Sequence, residues 1–294
     1  MDEWMVIANP VSGRGRGERV GTSVVRLLSA RGVSAELALT RASGDGAQLA
    51  EQALENGFRR VAVCGGDGTV HEVIGALAES DAIVGIVPCG RGNDLARALG
   101  VPKDEAQVVD MLVGGRTRRM DLGKVGGRYF GTVACLGFDS AVARATYEGG
   151  GPFRGTAAYV LAVLKTLVTY RSPRVRLVGD FGVFEGPVLL AASGNTRSYG
   201  GGMHITPQAV WDDGLLDICI VRPISRLTVL RLFLRVFSGS HVRYSPVRIE
   251  RTRSLSIESE APLWIYADGE PICQTPATIE VVPGALRVQV GGEG

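Results

Sequence analysis

Three short loops hold the residues with the clearest capacity for chemistry. Gly13 to Gly17, Gly65 to Gly68 and Gly90 to Gly92 each follow an apolar run and precede a segment with helical spacing. Glycine lets backbone N–H groups approach an anion with no Cβ in the way, and the start of the next helix adds partial positive charge. Such loops can cradle a polyphosphate. Two of them also carry an acid, Asp67 in CGGDGTVHEV and Asp94 in PCGRGNDLARALG. A carboxylate beside phosphates repels them unless a divalent cation lies between, so the simplest chemical reading is a place for Mg²⁺ at the phosphates of a nucleotide. The competing reading is an Asp-Gly turn joining strand to helix, with Asp67 or Thr69 acting as a cap. Standard nucleotide signatures do not fit: there is no G-x-x-x-x-G-K-[ST], and GRGRGE fails G-x-G-x-x-G at its last position.

The elements that must position these loops are legible as an alternation. WMVIAN, VSAELALT, RRVAVC and AIVGIVPC read as strands, separated by the helical patterns of ERVGTSVVRLLSARG, DGAQLAEQALENG and TVHEVIGALAES. Strand and helix in turn at this spacing mean βαβ units and a mostly parallel sheet. In such sheets ligands bind beyond the carboxyl ends of the strands, where all three glycine loops fall. From RRMDLGKVGGRYFGTVACLGFDS onward the pattern changes to short strands and turns, broken by helical stretches at about 154–170 and 225–238. A boundary near Gly123 therefore divides an α/β N-terminal domain (1–123) from a β-rich C-terminal domain (124–284), with about 285–294 able to complete the first.

With 294 residues, 45% hydrophobic and 21% charged, the chain has room for about two domains of roughly 150 residues and a large core. Its net charge of +2 gives no argument for nucleic acid, and no nucleic-acid partner is expected. The distribution is less even: eight arginines and one acid, Glu250, lie between Arg222 and Arg253. Cys64, Cys89, Cys135, Cys219 and Cys273 are odd in number and form no C-x-x-C, which points to a reducing, cytoplasmic setting. His71, His204 and His241 are too scattered for a zinc site. The apolar run near Met1 is too short for a signal peptide. AAYVLAVLKTLV (157–168) is shorter than the roughly 20 residues of a membrane helix, so any contact with a bilayer is expected at its surface.

The stretches NPVSGRG, CGGDGTVHEV, PCGRGNDLARALG, DLG, GNTRSYGGGMHITPQAVWDDGLLD and YADGEP, in this order, resemble the soluble bacterial diacylglycerol kinase and lipid kinase family, related to sphingosine kinases and more distantly to NAD kinases. The resemblance runs from Asn9 to Pro271. It implies an NAD kinase-like N-terminal fold, a sandwich-like second domain, and transfer of the γ-phosphoryl group of ATP to a lipid hydroxyl, most simply that of diacylglycerol, with Mg²⁺ as cofactor. Another lipid alcohol such as a sphingoid base or monoacylglycerol, NAD as acceptor, and a non-catalytic nucleotide or lipid sensor are the alternatives.

Residue by residue, the resemblance implies that Asn9, Pro10, Ser12, Gly13, Thr40 and the loop of Gly65, Gly66, Asp67, Gly68 and Thr69 line the nucleotide, with Glu72 buttressing that loop. Arg91 and Asn93 belong to the same nucleotide site. Asp67, Asp94 and Asp121 match an acidic cluster that organises Mg²⁺, since three converging carboxylates need a cation or a proton between them. Asp268 matches the general base, although Asp268-Gly269 by itself reads as a two-residue hairpin turn. Asp213, with the backbone carbonyls of Val210 and Leu215, matches a structural Mg²⁺ loop, an all-oxygen set suited to a hard cation. Arg91 stands where threonine is frequent, either clamping a phosphate or covering the loop from solvent. His71 stands where asparagine is frequent and reads as a solvent-facing helix residue without catalytic weight.

A lipid acceptor would bring the protein to the membrane surface as a peripheral partner. Leu227, Leu230, Leu234 and Phe237 share one side of the 224–243 stretch with Arg226, Arg231 and Arg235 interspersed, a pattern for interfacial docking or for a packed helix with snorkelling arginines. Phe153, Tyr159 and Leu164 are apolar residues that a lipid cleft or an ordinary core would use equally well. Exposed edge strands in the second domain would allow pairing into a homodimer.

Overall fold

The computed structural model describes residues 3–148, 163 and 165–291. Its first third alternates as the hydrophobic pattern requires: β1 (Trp4–Ala8), a distorted turn α1 (Ser12–Gly15), α2 (Gly17–Ala30), β2 (Ala35–Leu39), α3 (Asp45–Glu55), β3 (Arg60–Gly65), α4 (Asp67–Leu77), β4 (Ile83–Pro88), α5 (Asp94–Ala98) and α6 (Glu105–Gly114). Strands β2, β1, β3 and β4 pair in that order, all parallel. Both faces of this sheet are covered, and the period of two explains how. Met5 and Ile7 of β1 pack with Ala50 of α3 and Val73 and Leu77 of α4, while Trp4, Val6 and Ala8 pack with Val24 and Leu28 of α2 and Leu112 of α6.

The remainder is antiparallel within itself and makes one parallel contact with β4. β5 (Arg116–Val125), β6 (Arg128–Phe130), β7 (Val133–Gly137), α7 (Phe138–Glu148), β8 (Arg174–Gly179), β9 (Gly182–Pro187), β10 (Leu190–Gly194), β11 (Leu216–Val221), α8 (Arg226–Val236), β12 (Val247–Thr252), β13 (Ser254–Ser259), β14 (Trp264–Ala267), β15 (Glu270–Gln274) and β16 (Ala277–Val290) follow in order. A six-stranded sheet runs β12-β11-β10-β7-β14-β15. It packs against the antiparallel part of the ten-stranded sheet, with Leu136, Ile218 and Ile265 meeting Leu177, Ile257 and Ile279. The two layers form a sandwich. Its outer face is closed by Phe138 and Val142 of α7 and by Val229 and Leu232 of α8.

The boundary expected near Gly123 falls inside a continuous strand. β5 and β16 pair antiparallel from Ile279↔Val125 to Val290↔Arg116, with a register shift between Val282 and Leu286. Met120, Leu286 and Val288 lie in the core of the first domain, whereas Val125 and Ile279 lie in the core of the sandwich. β16 also pairs parallel with β4, so this strand pair runs through both halves. Residues 165–169 are helical, and most of the helix expected at 154–170, with Phe153, Tyr159 and Leu164, lies outside the described residues. Among the described residues no helix is long and apolar enough to cross a membrane.

Candidate active site

The loops after β1, β3 and β4 meet at the carboxyl edge of the parallel strands, and glycine is what lets them. A Cβ on Gly90 would stand 2.6 Å from the Cα of Gly66, and one on Gly92 would stand 2.4 Å from Asp67 Oδ2. The Gly66 N–H donates to Ser12 Oγ at 3.3 Å, and Asn9 Nδ2 donates to Thr69 Oγ1 at 2.9 Å. Gly13 lies against the Cys89 carbonyl, Pro10 follows β1 in the same turn, and the buried Thr40 donates its N–H to the Ala8 carbonyl. α4 begins at Asp67 with no side-chain cap. Asp67 instead accepts the N–H groups of Asp94 (2.7 Å) and Asn93 (2.9 Å), tying the two acidic loops together. Asn93 takes the left-handed conformation, and its side-chain amide closes on the Gly90 backbone in both directions.

The loops after β3 and β4 contribute to one wall of a cleft of about 700 Å³ between the domains, a size suited to a small-molecule ligand, while the loop after β1 packs behind them. Asp67, Arg91 and Asp94 line it from the first domain, and Thr132, Asp139 and Asp268 from the second. Burial pushes the Asp67 carboxyl above its ordinary range; the Asp94 N–H opposes that, and the charges of Asp94 and Asp268 add to it. A carboxyl raised mainly by burial needs a compensating positive charge, a proton or a cation, beside it. Among the described residues no three carboxylate, histidine or cysteine side chains converge closely enough to cage a metal. The donor set therefore fits an ion held by one or two carboxylates, with phosphate and water completing its shell, as hard Mg²⁺ commonly is. Asp94 accepts the Gly201 N–H at 2.9 Å and Arg97 at 2.5 Å, so its carboxylate also holds the second domain to the first.

Asp268 enters the cleft from the opposite side, at the turn between β14 and β15. With φ of 50° it occupies the left-handed region, and Gly269 follows at 87°, so the residue is both a hairpin turn and a cleft residue. Its carboxylate is 7% exposed. Oδ1 accepts the Thr132 N–H at 2.8 Å and the Thr132 hydroxyl at 2.5 Å; Oδ2 accepts the Gly131 N–H at 2.8 Å and lies 3.1 Å from His71 Nδ1. Burial acts to raise this carboxyl, but His71, Thr132 and Gly131 together bring it below its ordinary range. His71 is thus not the solvent-facing residue the sequence suggested. It is 4% exposed, because the second domain covers that flank of α4, and its Nε2 is 3.2 Å from the Arg128 guanidinium.

Two further expectations differ from what is found. Asp121 does not line the cleft with Asp67 and Asp94: Oδ1 accepts the Gly284 N–H and Oδ2 the Gly214 N–H, each at 2.7 Å, so it pins the β16 bulge to the 211–214 turn. Glu72 does not support the Gly65–Thr69 loop. It accepts the N–H groups of Gly44 (2.8 Å) and Gly46 (3.0 Å) and holds the start of α3. Asp213, expected with the Val210 and Leu215 carbonyls to hold a structural Mg²⁺, accepts the Leu215 N–H at 3.1 Å and pairs with Arg251, and Val210 is exposed.

Asp139, at the start of α7, was not singled out from sequence. Burial raises its carboxyl, and the Tyr199 hydroxyl donates to it. Its only local signal is an acid two residues after the buried strand β7 (VACLG), a placement that many helix N-termini share.

Comparison with known proteins agrees with this architecture. Residues 3–125 match the diacylglycerol kinase catalytic domain, and residues 132–290 match the YegS C-terminal NAD kinase beta sandwich-like domain. The chain is 38% identical over 290 residues to a diacylglycerol kinase of Mycobacterium tuberculosis, covering 96% of this chain and 93% of the relative. The chain belongs to the diacylglycerol kinase and lipid kinase family. Its membership makes it a phosphotransferase of the kinase class. It is also 36% identical over 280 residues to a Pseudomonas aeruginosa protein named as a probable lipid kinase, YegS-like, covering 93% of this chain and 92% of the other. A crystal structure of a diacylglycerol kinase from Bacillus anthracis superposes with a TM-score of 0.77 at 24% identity, covering 99% of this chain and 97% of that one, a likeness of fold.

Proposed function

We propose that the protein transfers the γ-phosphoryl group of ATP to the free hydroxyl of diacylglycerol, giving phosphatidic acid and ADP. The observation that carries this reading is the placement of Asp268, a buried carboxylate held in its ionised form, across one cleft from the uncapped glycine loop at Gly66. Phosphoryl transfer asks a protein mainly for positioning and charge stabilisation. The loop N–H groups and the N-terminus of α4 receive the nucleotide phosphates, with Asn9, Ser12 and Thr69 fixing the loops and Arg91 at the cleft wall. Asp67 and Asp94 would hold Mg²⁺, which when bound supplies the positive charge that the transferring phosphates and these carboxylates require. Asp268 accepts the hydroxyl proton as the oxygen–phosphorus bond forms.

The acceptor is a membrane lipid, and α8 supplies a surface suited to meeting it. Val229 and Leu232 face the sandwich, while Leu227 (70% exposed) and Leu234 (73% exposed) point outward beside Leu230 and Phe237. Arg226 donates to the Val168 carbonyl and Arg235 stacks on Tyr244, so part of the basic stripe is packed against the protein. The outward leucines, with Arg231 among them, favour peripheral docking on an anionic membrane. Anionic vesicles should bind the wild type and bind a Leu227→Ser/Leu234→Ser/Arg231→Gln variant several-fold less; equal binding would remove this part of the reading.

Labelled γ-phosphate from ATP, offered with diacylglycerol, monoacylglycerol and sphingoid bases in mixed micelles and with soluble NAD, tests the activity directly. Labelled phosphatidic acid from wild type and almost none from Asp268→Asn is the expected result. Labelling of NAD in preference to every lipid would overturn the acceptor assignment.

A further inference from the structure

The hydrogen bonds around Asp268 raise a difficulty for any base placed there, and its solution assigns roles to three more residues. A carboxylate has about four lone-pair directions, and here all four meet donors: the Thr132 N–H and hydroxyl at Oδ1, and the Gly131 N–H and His71 Nδ1 at Oδ2. A substrate hydroxyl can reach the carboxylate only if one donor yields. The two backbone donors cannot, because their peptide segment is clamped on its carbonyl side by Asn195, whose Nδ2 donates to the Gly131 carbonyl at 3.0 Å and whose N–H donates to the Thr132 carbonyl at 2.8 Å. His71 is held as well. Arg128 has only donors, so the Nε2 it approaches at 3.2 Å must accept, which puts the ring proton on Nδ1, aimed at Asp268. A side-chain hydroxyl, by contrast, rotates, and Thr132 lines the cleft.

We propose that the acceptor hydroxyl reaches Asp268 at Oδ1 in exchange for the Thr132 hydroxyl, while Arg128 and His71 pin Oδ2. The inference rests on the phosphoryl-transfer reading above. In the step, the acceptor oxygen forms its bond to the γ-phosphorus, the bond from that phosphorus to the β–γ bridging oxygen breaks with its electrons passing to ADP, and the acceptor proton moves to Oδ1. Thr132 and His71 are positioning residues, acting through Asp268. Their effects are opposite in kind, since one donor must leave and the other must stay.

Steady-state kinetics over a range of pH, with diacylglycerol varied in micelles, separate the two. The titratable and charged groups around Asp268 are Asp67 and His71 from α4, Arg128 from β6 beyond His71, Asp94 across the cleft and Glu270 along the same hairpin. Thr132→Val removes the donor that must leave, so KM for the lipid falls about fivefold, the factor one hydrogen bond of about 1 kcal/mol represents, and Thr132→Ser behaves as wild type. His71→Ala lowers kcat about tenfold, a fraction of the roughly 10²–10⁴-fold due to a positioned base, and moves the acid limb of the kcat profile to higher pH. His71→Asn, whose amide can still donate to Oδ2, restores most of both. The same change in kcat and KM from Thr132→Val and His71→Ala, or an unmoved acid limb in His71→Ala, would overturn the exchange while leaving the lipid kinase reading intact. A wild type that labels no lipid would overturn both.

Discussion

Asp67 and Asp268 are both followed by glycine and both border one cleft, yet their surroundings drive them in opposite directions. Asp67 has two backbone donors and two neighbouring carboxylates, and burial wins, so its carboxyl titrates above the ordinary range. Asp268 is more enclosed but has four donors, and these win over burial. Donor count and neighbouring charge therefore decide the roles more than residue type does. The first position invites a cation; the second is a carboxylate ready to receive a proton. Asp213-Gly214 makes a third contrast, because there the carboxylate is balanced by Arg251 at the surface.

The largest expected effect comes from the second position. Asp268→Asn should lower kcat by roughly 10²–10⁴-fold with ATP binding little changed, which isotope transfer and equilibrium dialysis check separately. Next, the two aspartates should respond oppositely in stability. A carboxyl depressed by folding stabilises the native state above its unfolded pKa, and that contribution is lost as pH falls through the folded value. Asp268→Asn should therefore lower the unfolding free energy by about 1.5–3 kcal/mol at neutral pH and flatten the acid loss expected of wild type. A carboxyl raised by folding does the reverse, opposing stability once pH rises past its unfolded value. Asp67→Asn should raise Tm at neutral pH without nucleotide, and should lack the further rise expected of wild type on adding Mg²⁺ and nucleotide. Equal shifts of the same sign in both variants would break the contrast.

Gly90→Ala tests the loop contact, since its Cβ would meet Gly66 backbone that cannot swing away. A cost of about 1–3 kcal/mol and weaker nucleotide binding are expected in thermal and dialysis measurements. The smallest effect belongs to Asp213→Asn: an exposed pair is worth roughly 0–1 kcal/mol, and Tm of both wild type and variant should respond to Mg²⁺ identically.

How much of this was legible in sequence follows from the range of the contacts. The period-two burial of β1 and the helical stripe of α4 are local, and the alternation of the first domain was readable from them. The glycine loops were readable for the same reason, each lying within a few residues of its strand. Asp121 misled because the N–H groups it binds, on Gly214 and Gly284, are 93 and 163 residues away, and no local pattern announces them. His71 misled because it flanks the apolar stripe of α4 formed by Val70, Val73 and Ile74, and the second-domain residues that meet it, Arg128 and Asp268, are 57 and 197 residues away. Glu72 sits one position further on and reaches sideways to α3, a contact between neighbouring helices that spacing alone does not reveal.

The most direct test of the central claim is a single-turnover measurement of phosphate transfer from ATP to diacylglycerol, comparing wild type with Asp268→Asn at equal nucleotide occupancy. The account predicts rapid formation of phosphatidic acid by wild type and a loss of at least about 10²-fold in the variant. Transfer at the same rate in both proteins would contradict it, because the cleft would then do its chemistry without the carboxylate around which it is built.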